Sequence, residues 1–212
     1  MSTTAVRHPV FARFYARFSA EADRRGGSEH RARALAGLSG RVIEVGAGNG
    51  GNFPHYPAKV TEVIAVEPEP TLRALATRVA DDAPVPVRVI DGLAGALPAE
   101  AESFDAGVAS LVLCTMPAPA SALAELYRVI RPGGELRFYE HVLAPKPAVA
   151  RLQRLADATL WPRIAGGCHM ARNTAAAMEK AGFVLESHER FGFSPGALQP
   201  PVPHILGVAR RP

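Results

Sequence analysis

Cysteine is scarce. Cys114 and Cys168 are the two in 212 residues, too few for a disulfide scaffold and too far apart for a recognisable zinc motif, although one pairing between them is geometrically open. No metal is expected on that ground, and a reducing, cytoplasmic compartment is the expected setting. Long apolar runs are also missing. None approaches the roughly 18 residues of a membrane span, and the start, MSTTAVRHPV, lacks the basic segment and apolar run of a secretory leader. Neither sign of charge dominates, with 24 Lys and Arg against 20 Asp and Glu. The excess sits in residues 1–40, where seven arginines face Glu21, Asp23 and Glu29. The arginines are interleaved with apolar positions, so they read as solvated helix surface, with a basic entrance for an anion as the alternative. No nucleic-acid motif accompanies them.

What is present is an ordinary domain composition, 48% hydrophobic, at a length that predicts one domain with at most a small lid. Phe11, Phe14, Tyr15 and Phe18 lie at helical spacing in a helix over 10–24, and a second short helix follows with Ser28 as its N-cap. Residues 1–40 are therefore expected as an N-terminal helical lid that moves over the rest. From residue 41 strands and helices alternate. Strands are expected over 41–45, 61–66, 85–90, 104–113, 135–142 and 183–191, with PHILGVAR as the last. Helices are expected over 69–80, 118–130, 147–160 and 170–181. Short connections and this alternation predict an α/β Rossmann-like fold, a mostly parallel seven-stranded sheet with helices on both faces and an antiparallel terminal pair. The core then spans 41–212, with an acceptor-side helical insertion around 145–181.

The strongest local signal is VIEVGAGNGGNF, residues 42–53, where small residues permit a tight strand-to-helix turn and close approach of a ligand to backbone. Gly46, Gly48 and Gly51 also fit GxGxxG, so a dinucleotide and a nucleoside-bearing methyl donor both remain open. Glu67, at the end of the second strand, is placed to accept ribose hydroxyls in either case. Glu44 discriminates: a buried carboxylate beside a pyrophosphate is repulsive, whereas a sulfonium and an ammonium group make an acidic pocket useful.

These segments together resemble the class I S-adenosylmethionine-dependent methyltransferases of the methyltransferase type 11 kind. EVGAGNGGNF, AVEP, SFDAGVASLVLC and ELYRVIRPGGELRFYEHV carry the likeness in order. The resemblance implies that Glu44, Gly46, Ala47 and Gly48 form the methionine-side pocket, that Asn52 and Phe53 continue its rim, that Glu67 holds the ribose and that Pro68 flanks adenine. Where such proteins carry an acid before Leu-Pro, this chain has GLAGALP with Leu93. Leu93 is expected to stack on adenine, with backbone of Leu93 or Ala94 supplying hydrogen bonds and Asp91 as a fallback partner. Ser110 and Leu111 are expected to touch the donor's amino acid.

A smaller likeness, to the thiol S-methyltransferase-like group, rests on EHV, Trp161, GGCHMARNT and PHILG. It implies a small-molecule acceptor, a thiol before a phenolic oxygen or quinone-like carbon. His141 is the first candidate for a base, with His169 and His204 beside it. Cys114 reads as buried packing, and Cys168 as structural or substrate-contacting. A non-catalytic cofactor-binding regulatory module and an NAD-dependent reductase are the competing classes.

Overall fold

The computed structural model describes residues 9–159, 161–196 and 199–212, without the side chains of residues 9–11 and 13. Phe11 of the aromatic stripe, Arg7 and Arg13 of the basic face, Leu160 of the expected helix and residues 197 and 198 thus lie outside the description. The elements run α1 (Pro9–Ala22), α2 (Ser28–Leu35), β1 (Gly40–Val45), β2 (Val60–Val66), α3 (Pro70–Ala80), β3 (Val87–Ile90), β4 (Phe104–Ser110), α4 (Pro119–Val129), β5 (Ile130–His141), α5 (Pro147–Asp157), α6 (Trp161–Ile164), α7 (Thr174–Lys180), β6 (Val184–Phe193) and β7 (Val202–Arg210).

The seven strands form one sheet in the order β3-β2-β1-β4-β5-β7-β6. β1 to β5 pair in parallel, and β7 is antiparallel to both β5 and β6. The order reverses between β1 and β4, so the ligand crevice of such a sheet lies beyond the C-terminal ends of these two strands. Two apolar layers hold the sheet. Ile43, Val45, Phe104, Leu123, Leu126, Ile130 and Phe138 belong to one, and Leu35, Leu38, Val42, Phe53, Val63 and Val108 to the other. Alternate residues of β1 point into opposite layers, as the period of two in an extended chain demands.

Several expectations change. Ser28 is not an N-cap: a π-turn over Asp23–Gly27 runs into α2, and Gly27 already has helical angles. The Ser28 hydroxyl instead meets His55 Nε2 at 3.2 Å. β4 stops at Ser110 rather than 113 because Leu111 takes a left-handed φ of 55°. β5 begins at Ile130, which pairs with Phe104, and Arg131 to Gly134 form an irregularity before the regular ladder resumes at Glu135. α7 starts at Thr174, where the Asn173 side chain accepts the N–H of Ala176, not at 170. In α1, Phe14 is 62% exposed, so the stripe is not uniformly covered.

Candidate functional site

The turn after β1 is built on glycine for steric reasons. Gly46 and Gly48 have φ of 64° and 58°, values that cost a side chain about 1–2 kcal/mol. Gly50, not Gly51 of the expected triplet, is the third left-handed position, at 84°. The turn is pinned by Glu67, whose Oε2 accepts the Gly48 N–H at 2.8 Å and whose Oε1 accepts the Glu69 N–H at 2.9 Å. Burial raises the Glu67 carboxyl above its ordinary range, with those two hydrogen bonds opposing. Glu69 caps α3 through Oε2, which accepts from Leu72 N at 2.7 Å. Its other oxygen, Oε1, is buried and has no hydrogen-bond partner among the described residues.

Glu44 is 2% exposed. Its two oxygens accept from Asn52 Nδ2 at 2.8 Å and from the Tyr56 hydroxyl at 2.7 Å. Burial pushes its pKa up to about 7, against the Tyr56 and Asn52 hydrogen bonds and the charge of Arg31. Asn52 in turn accepts Arg31 Nη1 at 3.0 Å, and the same nitrogen donates to Ser110 Oγ at 3.3 Å. Arg31 Nε reaches Asp23 at 3.0 Å. A buried cation thus joins α2, the glycine turn and the end of β4. Ala47 lines the turn and is 6% exposed. Phe53 is fully buried in the core, so its side chain packs under the turn and does not form a rim.

Beyond the ends of β2 and β3, where the resemblance leads one to expect adenine, the contacts are looser. Arg73 Nη1 donates to the carbonyls of Glu67 and Pro68 at 2.8 and 3.0 Å and pairs with Asp91 at 3.1 Å. Asp91 is therefore engaged, and exposed. Leu93 and Ala96 bridge across a tight turn. Leu93 is 38% exposed, and Ala94 packs on the core beside it.

At the other end of the crevice, Glu140 is fully buried and accepts the N–H groups of Val112 and Leu113 at 2.9 and 2.8 Å and of Cys114 at 3.2 Å. Leu111 N donates to Tyr139 O at 2.6 Å. The segment after β4 is thereby fixed against β5. Against it packs the loop after α6: His169 N donates to Cys114 O at 2.8 Å, and the Arg172 guanidinium donates to Leu113 O. That packing brings His141 Nδ1 to 3.4 Å from Cys168 Sγ and 3.7 Å from Cys114 Sγ. The two cysteines, too far apart in sequence for a recognisable zinc motif, meet here because three elements far apart in the chain converge.

The three histidines differ. Burial is the largest influence on His141 and lowers it, but the Cys168 hydrogen bond together with the charges of Cys168 and Glu140 raises the pKa overall. Cys168 is drawn down, first by the Cys114 hydrogen bond and then by His141, while Cys114 is pushed up. His204 lies opposite His141 in the β5–β7 register, with ring centroids 4.4 Å apart. Its Nδ1 donates to Val202 O at 2.7 Å, and burial followed by the charge of His141 brings its pKa to about 3. His169 is apart from both, its Nδ1 3.9 Å from Asp157. Arg31, Tyr56, Glu69 and the anchoring role of Glu140 had no signal in the sequence reading.

A reversing parallel sheet, a glycine turn braced by the acid that follows β2 and buried carboxylates beside that turn are the features of a class I methyltransferase. Residues 43–138 match the methyltransferase domain family, and the chain belongs to that family as an S-adenosylmethionine-dependent methyltransferase. Within it, the chain is 35% identical over 182 residues to the thiol S-methyltransferase TMT1B of Mus musculus, covering 82% of this chain and 73% of that protein. The Homo sapiens protein of the same name is 34% identical, covering 84% and 74%. A solved geranyl diphosphate methyltransferase in complex with S-adenosylmethionine shares the fold, with a TM-score of 0.66 at 16% identity over 93% of this chain and 90% of that one. The dinucleotide-reductase alternative falls with this membership.

Proposed function

We propose that the protein methylates the sulfur of a small, apolar thiol. The observation that carries the choice of sulfur is the likeness, across 82% of the chain, to a protein named thiol S-methyltransferase. The site's chemistry supports it. A free thiol, with pKa about 8.5, is a few per cent thiolate at neutrality, whereas a phenol near 10 needs a base to become a nucleophile. His204, at about 3, is a poor base, and His141 Nδ1 is turned to two sulfurs. An acceptor that ionises by itself suits this pocket better than a phenol.

The residues present also suit the donor. Bound S-adenosylmethionine supplies an electrophilic methyl carbon on a cationic sulfur. Glu44, Gly46, Ala47 and Gly48 form the wall toward its amino acid, and Glu67 with the unpartnered Oε1 of Glu69 gives acceptors for ribose hydroxyls. The Arg31 guanidinium, beside Asn52 and Ser110, is the group for the donor's carboxylate. Pro68, Leu93 and Ala94 form the adenine rim. The work of these groups is positional: in-line displacement requires the thiolate and the methyl carbon to be held close and aligned, with water excluded. Exposed Val149, Leu152, Leu155 and Ile164 on α5 and α6 offer an apolar approach. Among the described residues no helix is long and apolar enough to cross a membrane. Two unpaired buried cysteines fit a reducing, cytoplasmic setting.

The reading is tested by incubating purified protein and donor with matched thiols and phenols and detecting methylated products. Thiol products support it. Phenol methylation with thiols untouched reverses the assignment, and donor binding without turnover on any acceptor favours a regulatory module. Of the expected lid, α1 is the part that moves in this reading: a Cβ on Gly48 would lie 3.3 Å from its Tyr15 ring, whereas Leu35 and Leu38 are held in the core. Amide exchange over residues 9–22 slows when donor and acceptor are both bound; unchanged exchange rejects a moving lid.

A further inference from the structure

We propose that Cys114, His141 and Cys168 form a binding site for a thiophilic divalent cation, with zinc as the ion of choice and one coordination position left for the acceptor. The three ligand atoms lie within 4.8 Å of one another. Zinc bonds of about 2.3 Å to sulfur and about 2.0–2.1 Å to nitrogen, at tetrahedral angles, put nitrogen and sulfur about 3.6 Å apart and two sulfurs about 3.8 Å apart. The observed nitrogen–sulfur separations of 3.4 and 3.7 Å bracket the first value.

Hydrogen bonding links the trio only in pairs, Cys114 with Cys168 and Cys168 with His141. Nδ1 has one lone pair or one proton and so bonds one sulfur at a time, although both stand within 3.7 Å of it. Both cysteines are buried, at 1% and 6% exposure. A shared cation satisfies all three groups at once, with two protons, one from the Cys114 thiol and one from the Cys168–His141 pair, released to solvent as the metal enters.

The surroundings hold the three groups in place without the metal. Glu140 fixes the backbone of Cys114. The Cys168 loop is tied by His169 N to Cys114 O, and the Asp157 carboxylate accepts the N–H groups of Met170 and Ala171 at 2.9 and 2.8 Å. At Gly167, with φ 87°, a Cβ would stand 2.9 Å from Thr115 O, so the loop sits directly on the Cys114 segment. Such outer support is what a preorganised metal site needs. Among the described residues no fourth His, Cys, Asp or Glu joins the set. Two thiolates, one imidazole and an open position are the pattern of a catalytic rather than a structural zinc. That the acceptor's sulfur takes this position rests on the thiol-methylation reading.

The test is a titration of the full-length, reduced, chelator-treated protein with Co²⁺, followed by displacement with Zn²⁺. One Co²⁺ per chain, with sulfur-to-metal charge-transfer absorption that Zn²⁺ abolishes, is expected. Cys168→Ser and His141→Ala each weaken uptake by more than the roughly 10–100-fold that loss of a supporting partner costs. Cys168→Ala, with S-adenosylmethionine binding measured by calorimetry as the check of folding, guards against a collapsed variant. No charge-transfer absorption, or uptake unaltered in the variants, overturns the site. A thiol that shifts the Co²⁺ spectrum supports its place as fourth ligand, and a spectrum unmoved by thiols overturns that place. Metal uptake in a protein that methylates no thiol supports the site and counts against the acceptor assignment alone.

Discussion

A methyl group placed on Gly46 would stand 2.1 Å from Cγ2 of Val112. The glycine turn after β1 and the segment after β4 thus meet at van der Waals contact across the crevice. Gly46→Ala combines a left-handed penalty of about 1–2 kcal/mol with an overpacking cost of about 1–3 kcal/mol. Chemical denaturation should show a loss of that combined order. Val112→Ala in the same chain should recover the overpacking part and leave the backbone part. Independent, additive effects of the two substitutions would show that the contact is absent.

Glu67→Gln keeps the shape and one acceptor oxygen but removes the charge. Loss of a charge-assisted hydrogen bond to a ribose hydroxyl costs about 1.5–3 kcal/mol. The dissociation constant for S-adenosylmethionine should therefore rise about 10- to 100-fold in calorimetry, with the fold intact by circular dichroism. An unchanged constant removes Glu67 from the ribose site.

Arg31→Lys retains a cation but loses the fork that reaches Asp23, Asn52 and Ser110 together. If Arg31 receives the donor's carboxylate, S-adenosylmethionine and S-adenosylhomocysteine should both bind more weakly, by about 1.5–3 kcal/mol. Methylthioadenosine, which has no carboxylate, should bind as before. Equal weakening of all three would make Arg31 a brace of the fold and not a ligand contact.

Glu44 makes stability depend on pH with a definite sign. Its pKa is about 7 in the folded protein against an ordinary 4.5, through burial first, with Glu67 adding and Tyr56, Asn52 and Arg31 opposing. Between these values the folded form keeps a proton that the unfolded chain has released. Stability from this group is full below about 4.5 and is lost as pH rises through about 7, by up to about 3 kcal/mol. Urea denaturation of the ligand-free protein from pH 5 to about pH 8 should show this fall, and Glu44→Gln should flatten it. A bound cation favours the carboxylate, so donor affinity should rise over the same range. A slope unaltered by Glu44→Gln would place the titration elsewhere.

The parts legible in the sequence were those governed by short-range sterics and period. Gly46 and Gly48 announce a turn because φ near 60° is costly for residues with a side chain, and VIEV and TEVIAV announce buried strands by their mostly apolar, β-branched composition. Glu67 was placed by its position at a strand end. Arg31 was hidden because it lies in SEHRARAL, which by composition belongs to a solvated helix. Only tertiary packing buries it, against Asn52 and Ser110 from later elements. The Cys114, His141 and Cys168 cluster was hidden for a related reason: each neighbour is 27 residues from the next, and no local spacing encodes a meeting made by two loops and a strand end. Phe53 misled because its position next to the glycine turn says nothing of which way the ring points; burial in the same core cluster as Leu35 and Val63 decides it.

β7 lies between β5 and β6 although it follows both in the chain. During synthesis, β5 therefore emerges with one flank exposed and stays so until residues 202–210 exist to cover it. An open, apolar parallel flank is prone to pair with a foreign strand, so the hairpin of β6 and β7 must arrive before another chain does. His204 comes with that hairpin, and the half of the crevice opposite the nucleoside is finished last.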